Sequence, residues 1–172
     1  MKKVIFDVDG VLLSEERYYD VSALTVWEIL YGRPYMGLPS ERDDFRAADV
    51  TDGQIAAIRN EVWGGDALLA WLKGRGINSN WDMVHAWLIT CFWLMGGEYR
   101  RRTGGERLAL SFHREEDFHK AGLSVMGLPV PKAAAILDRW EQAVPEGTRG
   151  SDVFDVLGRA MAETFGGTPD WA

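Results

Sequence analysis

Two acidic residues near the start of the sequence, Asp7 and Asp9, have the types and the spacing that could do chemistry. They follow the apolar residues 4–6 and precede Gly10. Residues i and i+2 of an extended chain point to the same side, so both carboxylates are expected on one face, where they could share one ligand. Asp and Gly are also ordinary turn residues, and the same letters are compatible with a buried strand that ends in an acidic turn.

Residues 4–12, VIFDVDGVL, resemble the first motif of the haloacid dehalogenase (HAD) superfamily, whose members are mostly magnesium-dependent phosphatases. An Asp-x-Asp-Gly tetrapeptide arises by chance about once in several thousand positions at average composition. The preceding apolar run and the N-terminal position make coincidence rarer still. The resemblance implies a HAD-like α/β fold with a Rossmann-like core, which is a doubly wound sheet of five or more strands.

The resemblance also implies a role for each residue of the motif. Asp7 is the nucleophile that takes the phosphoryl group as an aspartyl-phosphate, and Asp9 is the general acid and then the general base. Mg²⁺ is held by a carboxylate oxygen of Asp7 and the backbone carbonyl of Asp9. The amides near Val8 and Gly10 help to hold phosphate oxygens. The implied substrate is a small phosphorylated compound.

The composition limits the partners and the compartment. A net charge of −7 over 172 residues argues against a broad nucleic-acid-binding surface. The single cysteine, Cys91, forms no internal disulfide and favours a reducing compartment and a core position. The longest apolar stretch, residues 83–95, is shorter than the roughly 18 residues of a membrane span. These observations predict a cytoplasmic protein with neither nucleic acid nor membrane as a partner.

After the first strand, the sequence predicts about six or seven helices. Asp20 is the predicted N-cap of the first, and Thr51 with Gln54 forms a capping-box signature for the second, which Gly64-Gly65 ends. The strongest helix is predicted from Trp81 to Met95 with Asn80 as its N-cap, and because it is apolar almost all round it should be the centre of a bundle. The other predicted helices are a short one after Asp66, one over residues 113–120, one after Pro131 and one after Ser151.

Three other segments have weaker patterns. Residues 107–112 have some β character, but the segment is short and could equally start a helix. The basic residues 98–103 predict a solvated loop or, alternatively, an anion or partner contact. His113 and His119 lie on different helical faces, so we expect surface histidines rather than a metal pair.

The later HAD motifs have only loose counterparts. Ser111 is the one candidate for the hydroxyl motif, Lys120 or Lys132 for the lysine, and Asp152 with Asp155 for the final acidic pair. In one HAD subclass a helical cap follows the first motif directly. The resemblance therefore divides the chain into residues 1–14, the first strand and nucleophile loop, and residues 15–172, a cap-like helical domain.

On this interpretation the chain has little activity alone, and its partner is the missing HAD core. The cap residues expected to contact substrate are Arg33, Arg46 and residues 100–102. A complete but divergent small protein is also compatible with the sequence. The alternative function is a non-enzymatic helical interaction module that associates with itself through the lone strand.

Overall fold

The computed structural model describes residues 15–40 and 49–165, where the chain forms seven α-helices and no strand. The predicted α/β HAD-like fold with a Rossmann-like core is therefore wrong, and the fold is helical. The predicted strand and the boundary at residue 14 fall outside the described residues, so both stay predictions. The helices are α1 (Glu15–Tyr31), α2 (Asp52–Trp63), α3 (Ala67–Gly74), α4 (Asn80–Thr103), α5 (Glu115–Val125), α6 (Ala133–Ala143) and α7 (Asp152–Phe165).

The segment with some β character shows why no sheet forms in the described region. Leu108 and Leu110 are buried and Ala109 is exposed, which is the alternation of a strand. A strand also needs a neighbour to take its backbone hydrogen bonds, and the described residues supply none. Residues 106–112 therefore follow an irregular path between α4 and α5.

Helix α4 is the centre of the fold, as its apolar sequence predicts. It packs against α1, α6 and α7. The indole of Trp140 donates to the Thr90 hydroxyl at 2.7 Å, and the indole of Trp87 donates to the Val62 carbonyl at 2.9 Å. Cys91 is fully buried there, and burial raises the pKa of its thiol. No helix in residues 15–40 and 49–165 combines the length and apolarity needed to cross a bilayer.

The start of α2 agrees with the predicted capping box, and two other helix boundaries differ from prediction. Thr51 accepts from the backbone N–H of Gln54 and the Gln54 side chain accepts from the backbone N–H of Thr51. Helix α1 is already helical at Glu15, so the predicted N-cap at Asp20 is wrong. The N-cap of α4 is Ser79, next to the predicted Asn80.

Residues 98–103 are the last turns of α4 rather than the predicted loop. Glu98 accepts hydrogen bonds from Arg101 at 2.7 Å and from Arg102 at 2.6 Å, which are the i+3 and i+4 neighbours that face it on a helix. The helix ends only at Gly104, whose φ of 76° suits glycine. His113 and His119 are both exposed, as predicted.

Candidate functional site

A polar groove lies beside the first turns of α1, where α1 meets α2 and the turn between α2 and α3. Its volume is about 470 Å³. We name it the Arg59 groove after the residue at its centre. The charged residues that line it are Glu16, Arg17, Asp20, Asp52, Arg59 and Asp66.

Arg59 is held by two carboxylates from different parts of the fold. Its Nε and Nη2 atoms donate to the two carboxylate oxygens of Asp66 at 3.1 and 2.8 Å, and Nη1 donates to Asp20 at 3.4 Å. The hydrogen bonds from the guanidinium to Asp66 and the negative charge of Asp66 raise the pKa of Arg59, although burial of the guanidinium acts in the opposite direction. The side chain is 21% exposed, so it presents a fixed cation at the wall of the groove.

Asp66, which forms this ion pair with Arg59, has an unusual backbone conformation. Its φ of 68° follows the positive φ of Gly64 and Gly65, and it is the sole non-glycine residue with positive φ in the described part of the chain. Such a conformation costs free energy in most non-glycine residues and is least costly for Asp and Asn. Asp66 occupies the N-cap of α3, but its carboxylate binds Arg59 instead of capping the helix. The carboxylate that holds Arg59 in the groove is therefore not used to cap α3.

Tyr19 fixes the second turn of α1 beside the groove. The Trp63 indole donates to the Tyr19 carbonyl at 3.1 Å, and the Lys73 amine donates to the Tyr19 hydroxyl at 2.7 Å. The guanidinium of Arg59 lies 5.7 Å from the centre of the same ring, a cation–π distance. Residues from α1, α2 and α3 therefore hold one another in place around the groove.

The charge of the groove decides what it can bind. Four carboxylates and two guanidinium groups line it, and Arg59 is already engaged by two of the carboxylates. Arg17 is 70% exposed and lies 3.5 Å from Asp20. An acidic lining with engaged cations suits hydroxyl or amine donors better than a bare phosphate.

The four residues of the predicted catalytic motif, Asp7, Val8, Asp9 and Gly10, lie outside the described residues. In the sequence, Gly10 lies six positions before Glu16, which is the first residue of the groove lining along the chain. The Arg59 groove is therefore the described cavity whose lining is nearest to the motif in the sequence.

The counterparts of the later HAD motifs are not brought together. No hydrogen bond or ion pair within residues 15–40 and 49–165 joins any two of them. Ser111 contacts Asp117, Lys120 pairs with Glu116 and Asp117, Lys132 precedes α6, and Asp152 and Asp155 lie in the first turn of α7. Of the predicted substrate contacts, Arg33 is exposed, residues 100–102 end α4, and Arg46 lies outside the described residues.

No sequence pattern singles out Arg59 or the pairing role of Asp66. The one local signal was Gly64-Gly65-Asp66, interpreted as a helix end and a new helix start. The partner carboxylate of Asp20 is 39 residues away from Arg59, and no spacing rule connects them.

No family model matches the sequence, and no curated protein matches it. A crystal structure of a Northeast Structural Genomics Consortium target is similar, with 29% identity and a TM-score of 0.71 over 96% of this chain. This chain spans 42% of the length of that protein. The likeness therefore relates the helical fold to a region of a longer chain, and the description of that protein names no activity.

Proposed function

We propose that this chain is part of a HAD-type magnesium-dependent phosphatase, in which Asp7 and Asp9 carry out the chemistry and the helical region acts as a cap. The observation that carries the proposal is the Asp-x-Asp-Gly motif in the sequence, which ends six positions before Glu16, a residue of the Arg59 groove. A phosphatase needs both a nucleophile and a surface that recognises the rest of the substrate. In this proposal the motif supplies the nucleophile, and the groove supplies the surface that recognises the rest of the substrate.

The proposed reaction proceeds in two displacements. A carboxylate oxygen of Asp7 attacks phosphorus and breaks its bond to the leaving oxygen, which takes a proton from Asp9. Asp9 then removes a proton from water, and that water attacks the phosphorus of the aspartyl-phosphate, which releases phosphate and restores Asp7. Two carboxylates are required because one must remain ionised to attack while the other carries the proton.

The proposed cofactor, Mg²⁺, would depend on the motif itself. No three His, Cys, Asp or Glu residues are grouped to hold a metal within residues 15–40 and 49–165. The proposed ligands are a carboxylate oxygen of Asp7 and the carbonyl of Asp9, which are the hard oxygen donors that Mg²⁺ prefers. When bound, the cation offsets the repulsion between a carboxylate nucleophile and an anionic phosphate.

The Arg59 groove would contact the part of the substrate that leaves. Each carboxylate has several acceptor lone pairs, so the carboxylates of the groove can accept from hydroxyl or amine groups beside their present partners, and Asn60, which also lines the groove, can both donate and accept. The ion pair between Arg59 and Asp66 would hold this surface in a fixed conformation. The proposed substrate class is therefore a small phosphomonoester whose leaving group carries hydroxyl or amino groups.

We further propose that the chain has little activity alone and that a HAD core is its partner. This is supported by the scattered positions of Ser111, Lys120, Lys132, Asp152 and Asp155, and by a structural neighbour more than twice as long. The acidic composition and the single buried cysteine favour the cytoplasm as the compartment.

The test is phosphate release from an aryl phosphate, with and without Mg²⁺, by this chain and by the complete product of its gene. We expect Mg²⁺-dependent turnover in the complete product, near-background turnover in this chain if the product is longer, and loss of activity in Asp7→Asn. Turnover that survives Asp7→Asn contradicts the nucleophile. Robust turnover by the 172-residue chain that Asp7→Asn abolishes contradicts the partial-chain proposal alone.

A second candidate function is a non-enzymatic interaction module, which exposed apolar side chains favour. Trp81 is 78% exposed in the first turn of α4. Val21, Leu123 and Met126 are 60%, 58% and 54% exposed. Light scattering after size exclusion tests this function: it requires a dimer that dissociates in Ile5→Pro or Trp81→Ser, and a monomer in the wild type excludes self-association.

A further inference from the structure

A larger cleft lies near the C-terminal end of α1, between α1, α2 and residues 127–134, which cover most of the α5–α6 connection and the start of α6. Its volume is about 990 Å³. We name it the Tyr31 cleft. We propose that it binds a small organic anion that combines an aromatic or other apolar body with a single negatively charged group. Asn60 is the one lining residue that it shares with the Arg59 groove among the described residues, and the proposal does not depend on the proposed phosphatase.

The half-buried residues Tyr31, Leu128 and Val130 provide the apolar surface of the cleft. They pack on the core, to which the buried lining residues Trp27, Leu30, Leu38 and Trp87 belong. The indole N–H of Trp87 already donates to a backbone carbonyl, so this ring adds no donor to the cleft. Tyr31, half-buried at the rim, has its ring centre 5.2 Å from that of Trp27. An apolar or planar group would displace water from this surface at a gain in free energy.

One wall of the cleft is held in place before any ligand binds. Arg102, at the end of α4, donates to the carbonyl of Gly127 at 2.8 Å and to Glu98 at 2.6 Å. Pro129 and Pro131 fix two φ angles in the same wall. A preformed wall lowers the entropic cost of binding. The cleft volume is at the upper end of the range for small-molecule sites.

The charge of the ligand follows from the cations that line the cleft. Lys132 is exposed at the rim and forms neither an ion pair nor a side-chain hydrogen bond with the described residues. Arg102 is engaged by Glu98 and Gly127, so Lys132 is the cation available to a ligand. Glu61 also lines the cleft and opposes polyanions. One available cation beside an apolar surface complements a ligand with one anionic group.

The test uses 8-anilinonaphthalene-1-sulfonate, an aryl anion that fluoresces when it leaves water, and N-phenyl-1-naphthylamine, a neutral compound with similar rings. We expect saturable binding of the sulfonate with one site per chain. Lys132→Met should weaken it about tenfold, the size expected for a lost contact with a charged group. The matched control is Lys120→Met, which removes the same charge from α5, outside the cleft.

The neutral compound should bind with an affinity that Lys132→Met leaves unchanged. Ala134→Glu adds a carboxylate at an exposed position of the same rim and should weaken the sulfonate more than Lys132→Met does. Circular dichroism and thermal melts establish that each variant is folded. The proposal is overturned if binding does not saturate, if both lysine variants have the same effect, or if Ala134→Glu binds the sulfonate as the wild type does.

Discussion

The interior around Trp140 and the Arg59 groove are held together by different forces. Trp140 is fully buried, packs against Trp71 with the ring centres 4.9 Å apart and the rings tilted by 34°, and donates to Thr90. In the groove, Arg59 and its carboxylate partners keep side-chain exposures of 15% to 50% and are held by ion pairs. When one partner of an exposed ion pair is removed, water solvates the other at a small cost in free energy. When a buried apolar side chain is deleted, the cavity that it leaves costs much more. Changes in the interior should therefore cost more stability than changes in the groove.

The largest effect is expected from Trp140→Ala. The substitution removes a buried indole that contacts α3 and α4, and comparable deletions of buried aromatic groups cost about 3–5 kcal/mol. Denaturant unfolding measures the change in the free energy of unfolding. Trp81→Ala is the control, since 78% of Trp81 is exposed, and it should change stability by about 0.5 kcal/mol or less. Equal costs for the two variants would contradict the assigned interior.

Gly122→Ala tests the tightness of the interior at the backbone. A Cβ atom at position 122 would lie 1.9 Å from the carbonyl oxygen of Met36, whereas one at Gly158 meets nothing within 4 Å. Both glycines lie inside helices. We expect Gly122→Ala to cost about 3 kcal/mol and Gly158→Ala to stabilise by up to about 1 kcal/mol. Thermal melts of the pair measure this, and a stabilising Gly122→Ala would refute the close approach of α5 to residue 36.

In the groove, Arg59→Met should cost about 1–2 kcal/mol. The substitution leaves Asp66 in its positive-φ conformation without the bidentate partner that holds it. Arg17→Met is the matched control, because Arg17 is 70% exposed and its ion pairs are longer, at 3.5 and 3.9 Å. Chemical denaturation of both variants measures the two changes in the free energy of unfolding. A cost for Arg17→Met as large as that for Arg59→Met would mean that the groove has no fixed centre.

The elements that the sequence predicted correctly depend on local signals. Thr51 and Gln54 form the cap that their spacing of three residues indicates, and Gly64 ends α2 with a φ of 60°. The apolar residues of α4 placed that helix at the centre because burial on all sides follows from composition alone. Such signals lie within one helix turn or one helix face.

The errors arise where distant residues decide the structure. Asp20 has the sequence of an N-cap, but its carboxylate pairs with Arg59, 39 residues away. Gly96 and Gly97 suggest a helix end, yet Gly96 is buried in the packed interior and α4 continues to Thr103. The Arg59 groove could not be predicted for the same reason: its lining residues come from α1, α2 and the turn before α3.

A smaller effect is expected at the cap of α2, on the edge of the groove. Thr51→Ala removes the side-chain acceptor for the Gln54 amide and should cost about 1 kcal/mol. The comparison is Ser79→Ala at the start of α4, where the hydroxyl makes a single 3.4 Å cap bond, whereas the Thr51 hydroxyl also donates to the Gln54 side chain at 2.9 Å. We expect the smaller loss at Ser79, measured by thermal unfolding. The reverse order would show that the second bond of the Thr51 hydroxyl adds nothing to the cap.

The smallest effect should appear only as a dependence on pH, at the surface pairs of Glu98. Hydrogen bonds from Arg101 and Arg102 lower the pKa of Glu98 from 4.5 to about 2. Because the folded-state pKa is the lower one, these pairs stabilise the fold above pH 4.5, and their contribution disappears as the pH falls towards 2. Melting temperatures at pH 6 and pH 3 should therefore differ less for Glu98→Gln than for the wild type. Glu146→Gln, at an exposed turn residue that forms no ion pair with the described residues, should follow the wild type. If Glu98→Gln loses as much stability on acidification as the wild type, the pairs at the end of α4 do not contribute in solution.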